Sequence, residues 1–207
     1  MRHPAPLLVA GLLALSACAS SGGAAADAYE AARAELGAGG VAADARVAVA
    51  RVLGPEGSGS TASGTVAFVE TADGVFIRYD VRGLDPGEHG FHVHETGSCE
   101  PADTDGDGEP EPAGAAGGHF APQGGPHGAP SDPRSERHAG DLGNVVAGDD
   151  RNAVGTMTDG VLAFDGPTSI VGRAMMVHAG RDDLTSQPSG AAGARVACGV
   201  VDLVRGE

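Results

Sequence analysis

The hexapeptide Gly90-Phe91-His92-Val93-His94-Glu95 constrains this chain more than any other stretch. In an extended strand successive side chains point to opposite faces, so His92 and His94 share one side while Phe91 and Val93 share the other. Such a strand needs a core behind its apolar face and a reason to gather imidazoles on the opposite one. A bound metal ion satisfies the second need. The wider inventory supports it: of eight histidines, six lie between residues 92 and 178, and Asp141 follows His138 by three positions. His119, His127, His138 and His178 complete the group, while His89 is assigned to packing or hydrogen bonding at the strand entrance.

From Arg46 onward apolar residues recur with period two. Val47, Val49 and Leu53 mark one strand, residues 65–70 a second, and Val75, Ile77, Tyr79 and Val81 line one face of a third. The His92/His94 strand follows, and further strands are expected at residues 145–146, 153–158, 170–177 and 195–204. Gly54 to Gly59, the Asp73-Gly74 hairpin signal and Gly83 to Gly87 are the turns between the early strands. No helical segment of consequence is expected. The pattern predicts one all-β domain over residues 45–207, a sandwich or Greek-key barrel of about eight antiparallel strands carrying long metal-binding loops.

Between Cys99 and Asp141 there is no periodicity, and a connection this long inside a small domain is usually functional or disordered. It carries His119, His127, His138 and Asp141, so metal coordination would supply the order that an apolar face cannot. Within it, residues 103–109 (Asp-Thr-Asp-Gly-Asp-Gly-Glu) resemble the start of a calcium loop, but the twelfth position is Gly114 where a bidentate acid is required. A solvated acidic bulge is the expectation there.

The formal charge is −15, all 13 basic residues are arginines, and no basic cluster exists, which argues against a nucleic-acid partner. In such a negative field a deeply placed arginine becomes a local positive focus, and Arg195 is the residue singled out. The N-terminus begins with a short basic start and an apolar run from Leu7 to Leu15 that is too short to span a bilayer, which predicts an export signal over residues 1–17. Leu15-Ser16-Ala17-Cys18 resembles a bacterial lipoprotein signal, implying cleavage before Cys18 and lipidation of its thiol. Residues 18–44 are expected to form a flexible lipidated tether, with at most transient helix over 29–36. Export implies an oxidising compartment in which Cys99 and Cys198 pair. That bridge would close a loop of about a hundred residues, worth on the order of 4 to 5 kcal/mol in the chain-entropy account.

Gly90-Phe91-His92-Val93-His94, Gly118-His119, His138-Ala139-Gly140-Asp141-Leu142-Gly143-Asn144, Val177-His178 and Arg195-Val196-Ala197-Cys198-Gly199 together resemble the copper/zinc superoxide dismutase family, in its exported bacterial lipoprotein form, from about Arg46 to Leu203. The resemblance implies copper on His92, His94, His119 and His178, and zinc on His119, His127, His138 and Asp141. It implies that His119 bridges the two ions and takes part in catalysis. Arg195 would guide superoxide to the site, and Asp182, with Asp183 as the neighbouring alternative, would link His92 to His127. The implied activity converts two superoxide ions to oxygen and hydrogen peroxide through Cu(II)/Cu(I) cycling, protecting a bacterial cell envelope to which lipidated Cys18 anchors the protein. The rival is an envelope copper or zinc buffer of the same fold without significant turnover. A monomer or a homodimer is compatible with the resemblance. The chain departs from eukaryotic members in the longer His127 to His138 spacing, in an insertion between Cys99 and His119, and in having no lysine between Ala179 and Ala194.

Overall fold

The structure, a computed structural model, describes residues 21–37 and 40–205; the expected export signal and Cys18 lie outside them. The period-two runs become strands β1 (Val47–Leu53), β2 (Ser63–Thr71), β3 (Gly74–Arg82), β4 (Gly87–His94), β5 (Asp141–Ala147), β6 (Asn152–Asp159), β7 (Ala174–His178) and β8 (Arg195–Arg205). All pairs are antiparallel, in the order β5-β4-β7-β8-β1-β2-β3-β6. Strands β5 and β6, the two ends of that order, are joined by the short turn 148–151 and lie against each other. The sheet therefore curls into a nearly closed barrel, with the β3–β4 and β6–β7 connections crossing between its halves in Greek-key fashion. β7 starts four residues later than the apolar run suggested, because residues 170–173 turn through Gly172 at a φ of 75°.

Alternation decides what fills the barrel. Val75, Ile77, Tyr79 and Val81 of β3 point inward beside Val66, Phe68, Phe91, Val93, Met175 and Val177. Each large apolar side chain so buried contributes roughly 1.5–3 kcal/mol before chain entropy is counted. The opposite side of β4 points out of the barrel, yet His92 and His94 are as buried as Phe91. Long loops cover them.

The N-terminal region differs from the expected flexible tether. Residues Ser21–Leu36 form a helix, α1, whose Ala25, Ala28, Tyr29 and Ala32 fall on one stripe at helical spacing. That stripe covers Val47, Val49, Ala67, Val69 and Phe76 on the outside of β1, β2 and β3. The Tyr29 hydroxyl donates to the Ala42 carbonyl at 3.0 Å and holds the returning chain. The physical reason is the outer face of these strands, which is apolar and needs a cover, met by an alanine-rich segment of high helix propensity. No helix among the described residues is long and apolar enough to cross a membrane.

Cys99 and Cys198 are joined in a disulfide that ties the loop after β4 to β8. Phe76, on the face of β3 that alternation marks as outward, is fully buried only because α1 lies over it. Phe76→Ala is accordingly expected to cost about 3 kcal/mol in the full chain and much less in a variant lacking residues 21–36, as read by chemical unfolding.

Candidate metal centre

The two side chains that alternation puts on the outer face of β4 meet rings from three other places. His119 arrives on the loop after β4, pinned there by an isolated bridge to His94; His178 ends β7, which pairs with β4; His127 and His138 come from the loop that enters β5. Asp141 opens β5, opposite His92.

Each ring spends one nitrogen on an oxygen and turns the other inward. His94 Nδ1 donates to the Gly117 carbonyl at 2.9 Å and His178 Nδ1 to the Gly193 carbonyl at 3.0 Å. Their Nε2 atoms consequently face each other as lone pairs, 3.4 Å apart. His92 Nε2 is bonded to Asp182 Oδ2 at 2.7 Å, leaving its Nδ1 buried without a hydrogen-bond partner. His119 contributes Nε2 in the same state, while its Nδ1 sits 2.7 Å from Asp141 Oδ1. Buried polar atoms are rarely left unpaired, and lone pairs aimed at one point have few occupants other than a cation.

A second convergence lies on the far side of His119. His127 Nδ1 and His138 Nδ1 are also buried without a hydrogen bond. They lie 3.0 and 3.4 Å from Asp141 Oδ1, close enough for an ion pair but outside hydrogen-bonding geometry. Their other nitrogens are occupied, His127 Nε2 by Asp182 Oδ1 at 2.9 Å and His138 Nε2 by the Gly125 carbonyl at 3.2 Å. The possible ligand atoms of His92, His94, His119 and His178 lie within 4.8 Å of one another, as do those of His119, His127, His138 and Asp141. His119 belongs to both groups through its two nitrogens.

Electrostatics divide the two groups. Burial, reinforced by neighbouring rings, drives His94 well below the usual imidazole range and His178 down to about 3. His119 falls to about 4, again chiefly by burial, with Asp141 pulling the other way. These rings are neutral at physiological pH and offer the lone pairs that a transition metal needs. Burial disfavours the charge on His127 too, but Asp141 and Asp182 outweigh it and raise this ring to about 9. Between two carboxylates some cation must stand, and without a metal a proton takes that place.

Asp182, fully buried, spans the groups by bonding His92 with one oxygen and His127 with the other, and Leu184 N–H donates to it at 2.7 Å. The alternative, Asp183, instead accepts from Ser186 and Thr185 of its own turn. Gly190 makes the bridge possible. At a φ of 68°, a Cβ there would lie 1.8 Å from Asp182 Oδ1.

A cleft of approximately 670 Å³ opens above the first group, lined by His94, His119, His178 and Arg195 among others. Arg195 is half-buried; its guanidinium donates to the Ala113 carbonyl and, at 2.6 Å, to the Gly117 carbonyl. His89 is buried under this wall, its ring nitrogens 2.8 Å from the His178 carbonyl and 2.7 Å from that of Asp85. Sequence reasoning missed Arg137, which is buried beside His138 and holds the Asp141 carbonyl at 2.8 Å while pairing with Asp159. Nothing in the local pattern marks it as buried. Asp103, Asp105, Asp107 and the partly exposed Glu111 gather their carboxylates within 4.8 Å, and the first three cap backbone N–H groups of their own bulge.

A sequence model of copper/zinc superoxide dismutase (SODC) matches residues 62–201. The chain is 44% identical over 147 residues to superoxide dismutase [Cu-Zn] 2 of Brassica juncea, an alignment covering 68% of this chain and 89% of that protein. Among solved structures it is similar to the clock protein EA4, with a TM-score of 0.63 and 35% identity, over 79% of this chain and 98% of the other. Because Asp182 orients one ring in each group, Asp182→Ala is expected to weaken binding at both by roughly tenfold to a hundredfold in competition titrations of the metal-free protein with chelating indicators. Gly190→Ala should reproduce the loss through steric conflict, and Asp183→Ala should leave both affinities unchanged.

Proposed function

Because the chain belongs to the copper/zinc superoxide dismutase family, whose cofactors are copper and zinc, we propose that His92, His94, His119 and His178 hold copper and that His119, His127, His138 and Asp141 hold zinc. The observation that carries this assignment is a set of four buried ring nitrogens with no hydrogen bond, His92 Nδ1 and His119 Nε2 in the first group and His127 Nδ1 and His138 Nδ1 in the second. Four imidazoles suit both oxidation states of copper, and three imidazoles with one carboxylate suit a closed zinc site. When bound, copper supplies the one-electron cycle between Cu(II) and Cu(I) that oxidises one superoxide and reduces the next.

The chain's own groups do the rest. Arg195 presents a fixed positive charge to the cleft and orients a small anion toward His94 and His178. His119, held through Nδ1 toward Asp141, can take a proton at Nε2 and pass it to the reduced product, which takes its second proton from solvent and leaves as hydrogen peroxide. Asp182 keeps His92 and His127 in the tautomers that aim their Nδ1 atoms inward. The disulfide holds the loop that supplies Arg195 with its two carbonyl partners.

Localisation forms part of the same proposal: an exported protein, lipid-anchored through Cys18 to a bacterial cell envelope and protecting it from superoxide. The lipoprotein-like signal supports this, and so does a disulfide that an oxidising compartment would preserve.

Superoxide decay catalysed by the copper- and zinc-loaded protein tests the activity against metal buffering. Arg195→Ala is expected to lower kcat/KM by about tenfold or more with metal content unchanged, and cyanide to abolish turnover. Full metal content without catalysis would leave a metal buffer. For the anchor, labelled fatty acid is expected to be incorporated into the wild-type chain and lost in Cys18→Ser; label retained in that variant would overturn lipidation there.

A further inference from the structure

Helix α1 and the metal centre occupy opposite sides of the barrel. In the nearly closed order of strands, β4, which carries His92 and His94, stands four places from β2 in either direction. The stripe Ala25, Ala28, Tyr29 and Ala32 lies on β1, β2 and β3, centred on β2. Ala28 and Ala32 are fully buried there, and Val41 and Ala45 of the returning segment join the same cluster. Near the end of the helix the Thr156 hydroxyl of β6 donates to Glu35 at 2.9 Å. The helix is thus seated along its length. Its free side exposes Asp27, Glu30 and Glu35, so it offers lipid no apolar face to bury.

We propose that the α1 side of the barrel faces a lipid bilayer: the helix is a strut that holds the barrel beside the headgroups and turns the metal cleft away from them. The proposal rests on the reading that Cys18 carries the lipid, and it replaces the long leash expected over residues 18–44 with a short one. A flexible chain of that length would let the barrel wander roughly 30 Å from its anchor in any orientation. With α1 seated, only the step from Cys18 to Ser21 remains between lipid and barrel, about 10 Å at full extension. An acyl chain in the bilayer therefore keeps the start of α1 at the headgroups, and the buried stripe carries that restraint into the barrel. The formal charge of −15 gives the barrel no attraction of its own for an anionic lipid surface, so the orientation comes from the short link and the helix. The cleft, on the β4 side, opens to the aqueous space from which a small water-borne substrate arrives.

Energy transfer to the membrane surface tests the orientation. The full-length, lipidated, copper- and zinc-loaded protein is placed on phosphatidylcholine vesicles whose headgroups carry an acceptor dye. The Cys99–Cys198 bridge and acylation of Cys18 leave an introduced cysteine as the free thiol for a donor, either Asp27→Cys on the exposed side of α1 or Thr185→Cys in the exposed loop that covers β4. Each signal is normalised to vesicles without acceptor, which cancels quenching by copper. Transfer from position 27 is expected to exceed that from position 185 by about twofold or more, because opposite faces of a domain of this size lie roughly 30 Å apart. An insertion of about twenty Gly and Ser residues between Ser20 and Ser21 leaves the contacts of α1 in place and adds roughly 25 Å of slack, so the two positions should then transfer alike. Equal transfer without the insertion, or more from position 185, would overturn the orientation and leave the lipid anchor standing. Protein that fails to float with the vesicles would overturn the anchor itself, and the orientation with it.

Discussion

Loops that bury no continuous apolar face must be held at points, and the site depends on how few those points are. The segments 95–140 and 179–194 cover the outer side of β4, yet neither offers the alternation that holds a strand. The Cys99–Cys198 bridge fixes the first, and the Arg195 guanidinium draws the Ala113 and Gly117 carbonyls toward β8. Asp182 fixes the second by gripping His92 on the barrel and His127 on the loop. Each contact joins a loop to a strand, so the rigidity of the sheet reaches side chains that have little packing of their own.

The same contacts prepare the centre electrically. His92, His94, His127, His138 and His178 each commit one nitrogen to an oxygen beside the site, and the inward nitrogens of His92, His127 and His138, with Nε2 of His119, are left without a hydrogen bond. That loss is recoverable only by a cation. On the His94 and His178 side burial keeps the rings neutral, whereas beside Asp141 and Asp182 a positive charge is demanded. His119 is the ring shared between these two surroundings, and under the proposed assignment it would serve both the copper and the zinc.

Helix α1 shows where pattern reading fails. Alanine and glycine make a weak hydrophobic signal, and an isolated sixteen-residue helix is marginal in water, so a flexible tether was the natural expectation for this stretch. The missing information lay elsewhere in the chain. Phe76, standing alone among polar neighbours on the outer face of β3, and the apolar Val47 and Val49 of β1 needed a partner that local sequence could not identify. The one available cue was the spacing of Ala25, Ala28, Tyr29 and Ala32.

The sequence by itself determined the strands, because alternation at period two is imposed by backbone geometry and is written in consecutive residues. It also determined which imidazoles and which carboxylate are present, since ligand chemistry belongs to residue type. Only the tertiary structure decided that Asp182 rather than Asp183 spans His92 and His127, and that Arg137 is buried against Asp159. These depend on which loop reaches which strand across many tens of residues. Such distances are set by barrel closure and a disulfide, and no local pattern encodes them.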